Sequence, residues 1–500
     1  MRIPAKGTSI WRFVYPISAL KFFPTLLLLV TGFLPGASGV EERGALAPWP
    51  KGPLPLSADF AVKVNGADIP VYQAGSFQCA PFAFTGSVTV EVTCLKKAVS
   101  TVQINPLSKG ITARRVGNTI NFTLDRPRKL EIQINGATSQ VKEGDKLLYL
   151  FADAPEADPP KPDDPSVIYF GPGVHDVPGG QLIVDDSDPH TSLYVAPGAL
   201  LNASLEIKRN TKPFLIHGFG FIQNPSTLEE KKTKSAHSCL KLRSCHHVTA
   251  KDVTFFNSVW YAIGFAGGSD NSVQNVKELN VCVNTDGISF SSTSNNLVED
   301  SFIVGNDNLI VIGGGGKTGP DRTRGGPAKN TIRGCTFVKS SYAGNWTFPQ
   351  GDGPIGPGNL VDDCDVIRVN GEPGLIRVVW GKLTTIDNLV FQNIRVQSLE
   401  GYRADPSKNG KNRQNRFLSC EQTGLSYTHT PTTEDAAADR QYARTMTLKN
   451  IQLPVLLPSW IAPGKWTVTF DHVTVGGKLA TSDEDLHLTK GEGVVTRYLP

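Results

Sequence analysis

Two acidic turns stand close together in the chain, Asn284-Thr285-Asp286-Gly287 and Asn306-Asp307-Asn308, and each leads into a short apolar strand. Their carboxylates, Asp286 and Asp307, are 21 residues apart. Two carboxyl groups held side by side cannot both ionise easily, so one pKa rises and that group keeps a proton near neutral pH. A protonated carboxyl beside an ionised one suits the cleavage of a bond whose leaving oxygen needs a proton while a water needs a base. An isolated Asp-Gly more often does no more than shape a turn. The pair acquires chemical meaning only if the chain coils with a period near 21 residues, so that neighbours in space lie one coil apart in sequence.

The elements around the turns supply such a period. Apolar segments of similar shape recur, with their first branched apolar residues at Val248, Val273, Leu297, Ile332, Leu360 and Ile386. Steps of roughly 25 residues, short strands, Gly/Asn turns and no long amphipathic helix point to a β-solenoid, best fitted by a right-handed parallel β-helix over 166–500. Coils stacked about 4.8 Å apart would place Asp286 above or below Asp307 on one face. The longest step contains the insertion Gly313–Pro327. No helix pattern follows its glycines, so it reads as a loop bordering a groove and not as a phosphate cradle. Upstream, alternating strands with turn residues every ~8–12 positions predict an antiparallel β-sandwich over 58–158. The run Pro159-Pro160-Lys161-Pro162-Asp163-Asp164-Pro165 makes 159–165 a stiff linker, and 40–57 is Pro/Gly-rich and extended.

Composition excludes several functions. A formal net charge of +4 spread over 500 residues offers no polyanion-binding surface, so no nucleic-acid partner is expected. Residues 1–39 combine Lys6, Arg12 and Lys21 with the apolar run Phe22–Leu34 and the small residues Ala37-Ser38-Gly39, which predicts a cleaved signal peptide and a secreted, extracellular protein. No later apolar run is long enough to span a bilayer, so no stable membrane insertion is expected after cleavage. Secretion makes Cys79–Cys94 and Cys239–Cys245 candidate local disulfides and the sequons at Asn121, Asn202 and Asn345 candidate glycosylation sites. His237, His246 and His247 surround the second cysteine pair, but the spacing fits no standard zinc motif, and neither a metal nor a cofactor is expected.

VNTDGI, followed one coil later by GNDNLIVI, resembles the right-handed β-helix glycoside hydrolases of families 28 (polygalacturonases) and 49 (dextranases and isopullulanases). The order of sandwich, proline-rich joint and β-helix is more similar to family 49. The resemblance implies a glycosidase that acts on a polysaccharide with inversion; the chain is expected to be a monomer. It gives the general acid's part to Asp307 and a part in activating water to Asp286. The family's second aspartate falls on Asn308, and an amide cannot take a proton from water, so a slow or altered hydrolase is implied. The Gly-His-Gly of family 28 has no counterpart at Ser341–Trp346, and its Arg-Ile-Lys is echoed only by Arg377.

Sugar rings stack on aromatic faces, which makes Trp260, Tyr261, Tyr342, Trp346 and Trp380 candidates to line the groove. Asn284, Asn308, Trp346 and Arg377 are the expected substrate contacts. Asn308 also motivates a second reading, a carbohydrate-binding or structural β-helix without catalysis. A polysaccharide lyase would need a carboxylate-bound calcium and an arginine base, for which Asp362, Asp363, Asp365 and Arg368 are faint candidates.

Overall fold

The computed structural model describes residues 44–313, 326–340, 346–351, 354–369, 374–380, 385–399, 416–422 and 442–500. Strands dominate, and the largest sheet runs without a break from Val167–Phe170 to Val494–Leu499. From Ala199–Lys208 to Leu360–Asp362 each strand pairs in parallel with the one three positions later, because three strands make one turn of a parallel β-helix. Thr249 lies level with Ser272, Val273 with Val298, Val298 with Ile332 and Ile332 with Val361. These steps are close to those read from the apolar markers. Valine, isoleucine, phenylalanine and leucine at alternate positions of all three faces fill the bore as a single apolar column.

Two side-chain columns keep the coils in register. At one corner Asp252, Asn275, Asp300, Gly334, Asp363 and Asn393 stack, all with φ between +45° and +70°. Asn, Asp and Gly tolerate this left-handed backbone, which is why these types recur at that position. At another corner Asn271, Asn296, Asn330 and Asn359 form a buried ladder. Asn271 Nδ2 donates to Asn296 Oδ1 at 3.0 Å, Asn296 Nδ2 to Asn330 Oδ1 at 2.7 Å, and Asn330 Nδ2 to Asn359 Oδ1 at 3.0 Å. Each asparagine stands two residues before a branched residue of the bore, Val273, Val298, Ile332 or Val361, a signal present in the sequence that the marker spacing alone did not use.

The N-terminal part is a two-sheet sandwich with one departure from the antiparallel expectation. Phe77–Thr85 and Leu147–Asp153 run parallel, Leu148 level with Gln78. Both strands are buried almost throughout, as parallel neighbours covered on two faces are. Leu148, Leu150 and Ala152 enter the sandwich core. Leu147, Tyr149 and Phe151 face the opposite way and pack on Phe221, Phe256, Leu279, Phe302, Val304 and Val338 of the β-helix. The segment expected to be merely extended adds a strand to the sandwich, Ala45 pairing with Thr85.

Buried charges lock the joint between the two parts. Arg368 grips Glu131 through both terminal nitrogens at 2.6 Å, and Lys277 bonds both oxygens of Asp153 at 2.8 and 2.9 Å. All eight cysteines are free thiols, which overturns the expected Cys79–Cys94 and Cys239–Cys245 disulfides. Cys79 faces the β-helix while Cys94 faces the sandwich core, and side chains on opposite faces of a layer cannot be bridged. Cys239 and Cys245 both belong to the apolar bore, where Cys245 Sγ donates to the carbonyl of Ile207 at 2.8 Å.

Candidate active site

The acidic turns connect two faces of the coil. Each turn leaves a strand that packs against the sandwich, Lys277–Leu279 or Phe302–Gly305, and enters a strand of the site-bearing sheet, Ile288–Ser291 or Ile310–Gly313. Those two site strands pair with Ile288 level with Ile310. One coil here is therefore 22 residues, one more than the separation of the two aspartates. Asp286 comes level with Asn308, and Asp307 comes level with Thr285. The expected vertical stacking of Asp286 on Asp307 is thus shifted by one residue, and the two carboxyls lie close enough for the charge of Asp307 to act on Asp286.

The shift gives every residue of the motif a defined task. Asn308 donates to Asp286 Oδ1 through its backbone N–H at 3.0 Å and through Nδ2 at 3.2 Å. Asn284, in the left-handed region at φ +67°, extends Nδ2 to Asp307 Oδ2 at 3.4 Å. Thr285 is buried; its Oγ1 donates to the carbonyl of Cys282 at 2.5 Å and accepts from the N–H of Asn306 at 3.3 Å, tying one turn to the next. Gly287 is obligatory, because a Cβ there would come within 2.5 Å of the carbonyl oxygen of Leu309.

Burial sets the electrostatics. Asp286 is 5% exposed, whereas Asp307 is half-buried and more open. Loss of hydration, with the charge of Asp307 second, pushes the Asp286 carboxyl from its ordinary 3.8 up to about 8, against the pull of the two Asn308 hydrogen bonds and Lys339. Lys339 was not anticipated. It closes the strand Thr336–Lys339 one coil further on, is wholly buried, and donates its ammonium to the main-chain carbonyl of Asp307. Burial brings its pKa down to about 8, opposed by the charges of Asp307 and Asp286. A lysine ending an otherwise apolar strand was visible in the sequence, but its proximity to the acidic turn was not.

The remaining expected contacts divide. Trp346 is fully buried in the bore, its ring 5.8 Å from Phe337 and 6.1 Å from Phe391, so it packs the core and does not line a groove. Its neighbour Thr347 is level with Ile310, and the chain enters the site sheet with Trp346 turned inward. Arg377 is half-buried in the site sheet, next to the inward-facing Ile376, and so is directed to the outer surface two strands beyond Ile310–Gly313. Trp260 and Tyr261 pack edge to face at 5.1 Å. They line a pocket of about 260 Å³ on the outer surface of the site sheet, together with Lys241, Glu206, Ser289 and Ser291. That pocket adjoins the acidic turn, since the N–H of Ala262 bonds the carbonyl of Asp286 at 2.8 Å. Tyr342, the sequon Asn345 and the side chain of Trp380 lie outside the described residues. Asn121 is a half-buried strand residue of the sandwich, and Asn202 donates to Asp176 Oδ1 at 2.7 Å on the β-helix surface.

No family model matches the sequence, and no curated protein matches it. Solved structures do match the fold. Dex49A from Penicillium minioluteum aligns with a TM-score of 0.60 at 13% identity, over 90% of this chain and 96% of its own. Polygalacturonase from Erwinia carotovora ssp. carotovora aligns at 0.45 and 13% identity, over 65% of this chain and 87% of its own. The catalytic domain of a GH87 alpha-1,3-glucanase aligns at 0.45 and 11% identity, over 90% and 88%. The likeness to Dex49A agrees, at the level of fold, with the resemblance carried by VNTDGI and GNDNLIVI.

Proposed function

We propose that the protein hydrolyses O-glycosidic bonds of a polysaccharide with the Asp286–Asp307 pair. One observation carries the reading. A carboxyl pushed up to about 8 by burial lies beside a second, more open carboxylate, at the edge of a sheet whose outer surface carries an aromatic-lined pocket. A carboxyl buried in this way keeps its proton through the neutral range. The proton rests with Asp286, on the more deeply buried carboxyl. The resemblance had given the acid's part to Asp307, so the two assignments differ in which oxygen keeps the proton before substrate arrives. Protonation of the leaving oxygen and activation of water then fall to the two members of the pair, with inversion as the stereochemical expectation.

A specific observation keeps the non-catalytic reading in play. Asn308 stands where the family has a carboxylate, and its backbone N–H and Nδ2 both donate to Asp286, so it anchors the pair and supplies no further base. The lyase reading loses its residues. Arg368 is 2% exposed and bound to Glu131, and Asp365 is bound to Lys109 at 3.2 Å and Arg395 at 2.7 Å. Residues 1–39 support secretion in this proposal, which expression with the leader intact and N-terminal sequencing of the culture medium would test. Release of reducing ends from dextran, pullulan and polygalacturonate tests the hydrolase. Binding without release from any of the three would select the non-catalytic alternative.

A further inference from the structure

The Asp307 turn is held from behind by a run of contacts that crosses from one part of the molecule to the other. Lys339 is level with Gly305, two residues before Asp307 on the neighbouring coil. Its ammonium holds the Asp307 carbonyl, and its own carbonyl accepts from Arg368 Nε at 3.3 Å. Arg368 is clamped by Glu131 of the sandwich, and Glu131 in turn accepts from Tyr149 Oη and Asn105 Nδ2, each at 3.1 Å. The next residue is gripped as well. Ser340 donates from its N–H and Oγ to the carbonyl of Gly305 at 2.9 and 3.1 Å, while its own carbonyl accepts from the N–H of Gln140 in the sandwich at 3.1 Å.

We infer that Lys339 is a positioning residue for the acidic pair and that the sandwich is the abutment that holds it, through Glu131, Arg368 and Gln140. A buried ammonium survives its desolvation only where opposite charge and acceptors face it. The charged groups around Lys339 are Asp286 and Asp307 on the two turns, with Arg368 behind it and Glu131 and Tyr149 beyond. Asp365, on the strand of Arg368, is turned to Lys109 and Arg395. Lys339 thus fixes the backbone of one carboxylate and supplies a positive charge felt by both, which limits how far the proton affinity of Asp286 rises. The sandwich of this protein would then complete the site from behind the acidic turns.

The activity arm of the test rests on the hydrolase reading, and the titration arm does not. Asp286 is titrated without substrate as the pH at which the stability gap between a protein and its Asp286→Asn derivative stops widening. In Lys339→Met this pH moves up by about one unit or more, because a buried cation has been removed. In Lys339→Arg it stays near the wild-type value. With substrate, Lys339→Met lowers kcat by about tenfold or more at constant KM and shifts the alkaline limb of the profile upward, which a purely structural lysine would not do. Glu131→Gln lowers kcat at constant KM, measured well below its unfolding temperature, and leaves the Asp286 titration in place. An Asp286 titration unmoved by Lys339→Met overturns the role of Lys339, and an undiminished kcat in Glu131→Gln overturns the abutment. A shifted titration in a protein that cleaves no polysaccharide would uphold the coupling and dismiss the hydrolase.

Discussion

Replacing Asp286 by asparagine should stabilise the fold while abolishing activity, and the stabilisation should grow with pH. In the unfolded chain this carboxyl ionises near its ordinary 3.8, whereas in the folded protein it holds its proton up to about 8. Between those values the folded state binds more protons than the unfolded state, so raising the pH favours unfolding. The sign is that of any group whose folded pKa is raised: its contribution is fully present below the unfolded pKa and is lost as pH climbs towards the folded one. Each pH unit in that window is worth about 1.4 kcal/mol. At pH 7 the protein therefore forgoes about 4 kcal/mol to keep this carboxyl in place, and at pH 8 about 5. Asparagine has nearly the same shape, needs no proton, and offers its Oδ1 to the same two donors of Asn308. Urea denaturation of both proteins at pH 4, 5.5, 7 and 8 should show a gap that is small at pH 4 and several kcal/mol in favour of the variant at pH 8. A gap of constant size across that range would refute the argument, because any fixed packing difference between the two side chains is independent of pH.

Glu278 lies in the bore, fully buried, with neither carboxylate oxygen hydrogen-bonded and its pKa raised well above the usual range by desolvation. Glu278→Leu should stabilise the protein increasingly above pH ~4.3, by up to about 1.4 kcal/mol per pH unit, and an unchanged denaturation midpoint at pH 8 would contradict this. Trp346→Ala should destabilise by about 3–5 kcal/mol as a core truncation, while carbohydrate affinity measured below the unfolding transition stays unchanged; selective loss of binding would return Trp346 to the groove. Asn308→Asp replaces a donor to Asp286 by a third carboxyl, so neutral-pH stability should fall by about 1–3 kcal/mol, while turnover on the responsive polysaccharide should rise as a second base becomes available; unchanged turnover would place residue 308 outside the chemistry.

The sequence by itself determined the repeat, and with it the β-helix, because each coil must bring its own branched apolar residues to the bore and its own Asn, Asp or Gly to the corners. It also singled out Asp286, Asp307, Asn284 and Asn308, whose residue types report their chemistry directly. Tertiary structure decided what a spacing cannot carry. A coil of 22 residues where the aspartates are 21 apart exchanges the stacking partner of Asp286 and turns Asn308 from a missing base into its anchor. Trp346 looked like a sugar platform because it flanks the site in sequence, yet just before the strand Thr347–Gly351 the chain turns its ring into the core. Lys339 and Arg368 gave no sign of their roles, since their partners lie 32 residues back on another coil and 237 residues back in another domain. Periodicity is a local property and can be read along the chain. The proton affinity of Asp286 depends on how much water the packed coils exclude and on which charges they gather, and those are properties of the assembled fold alone.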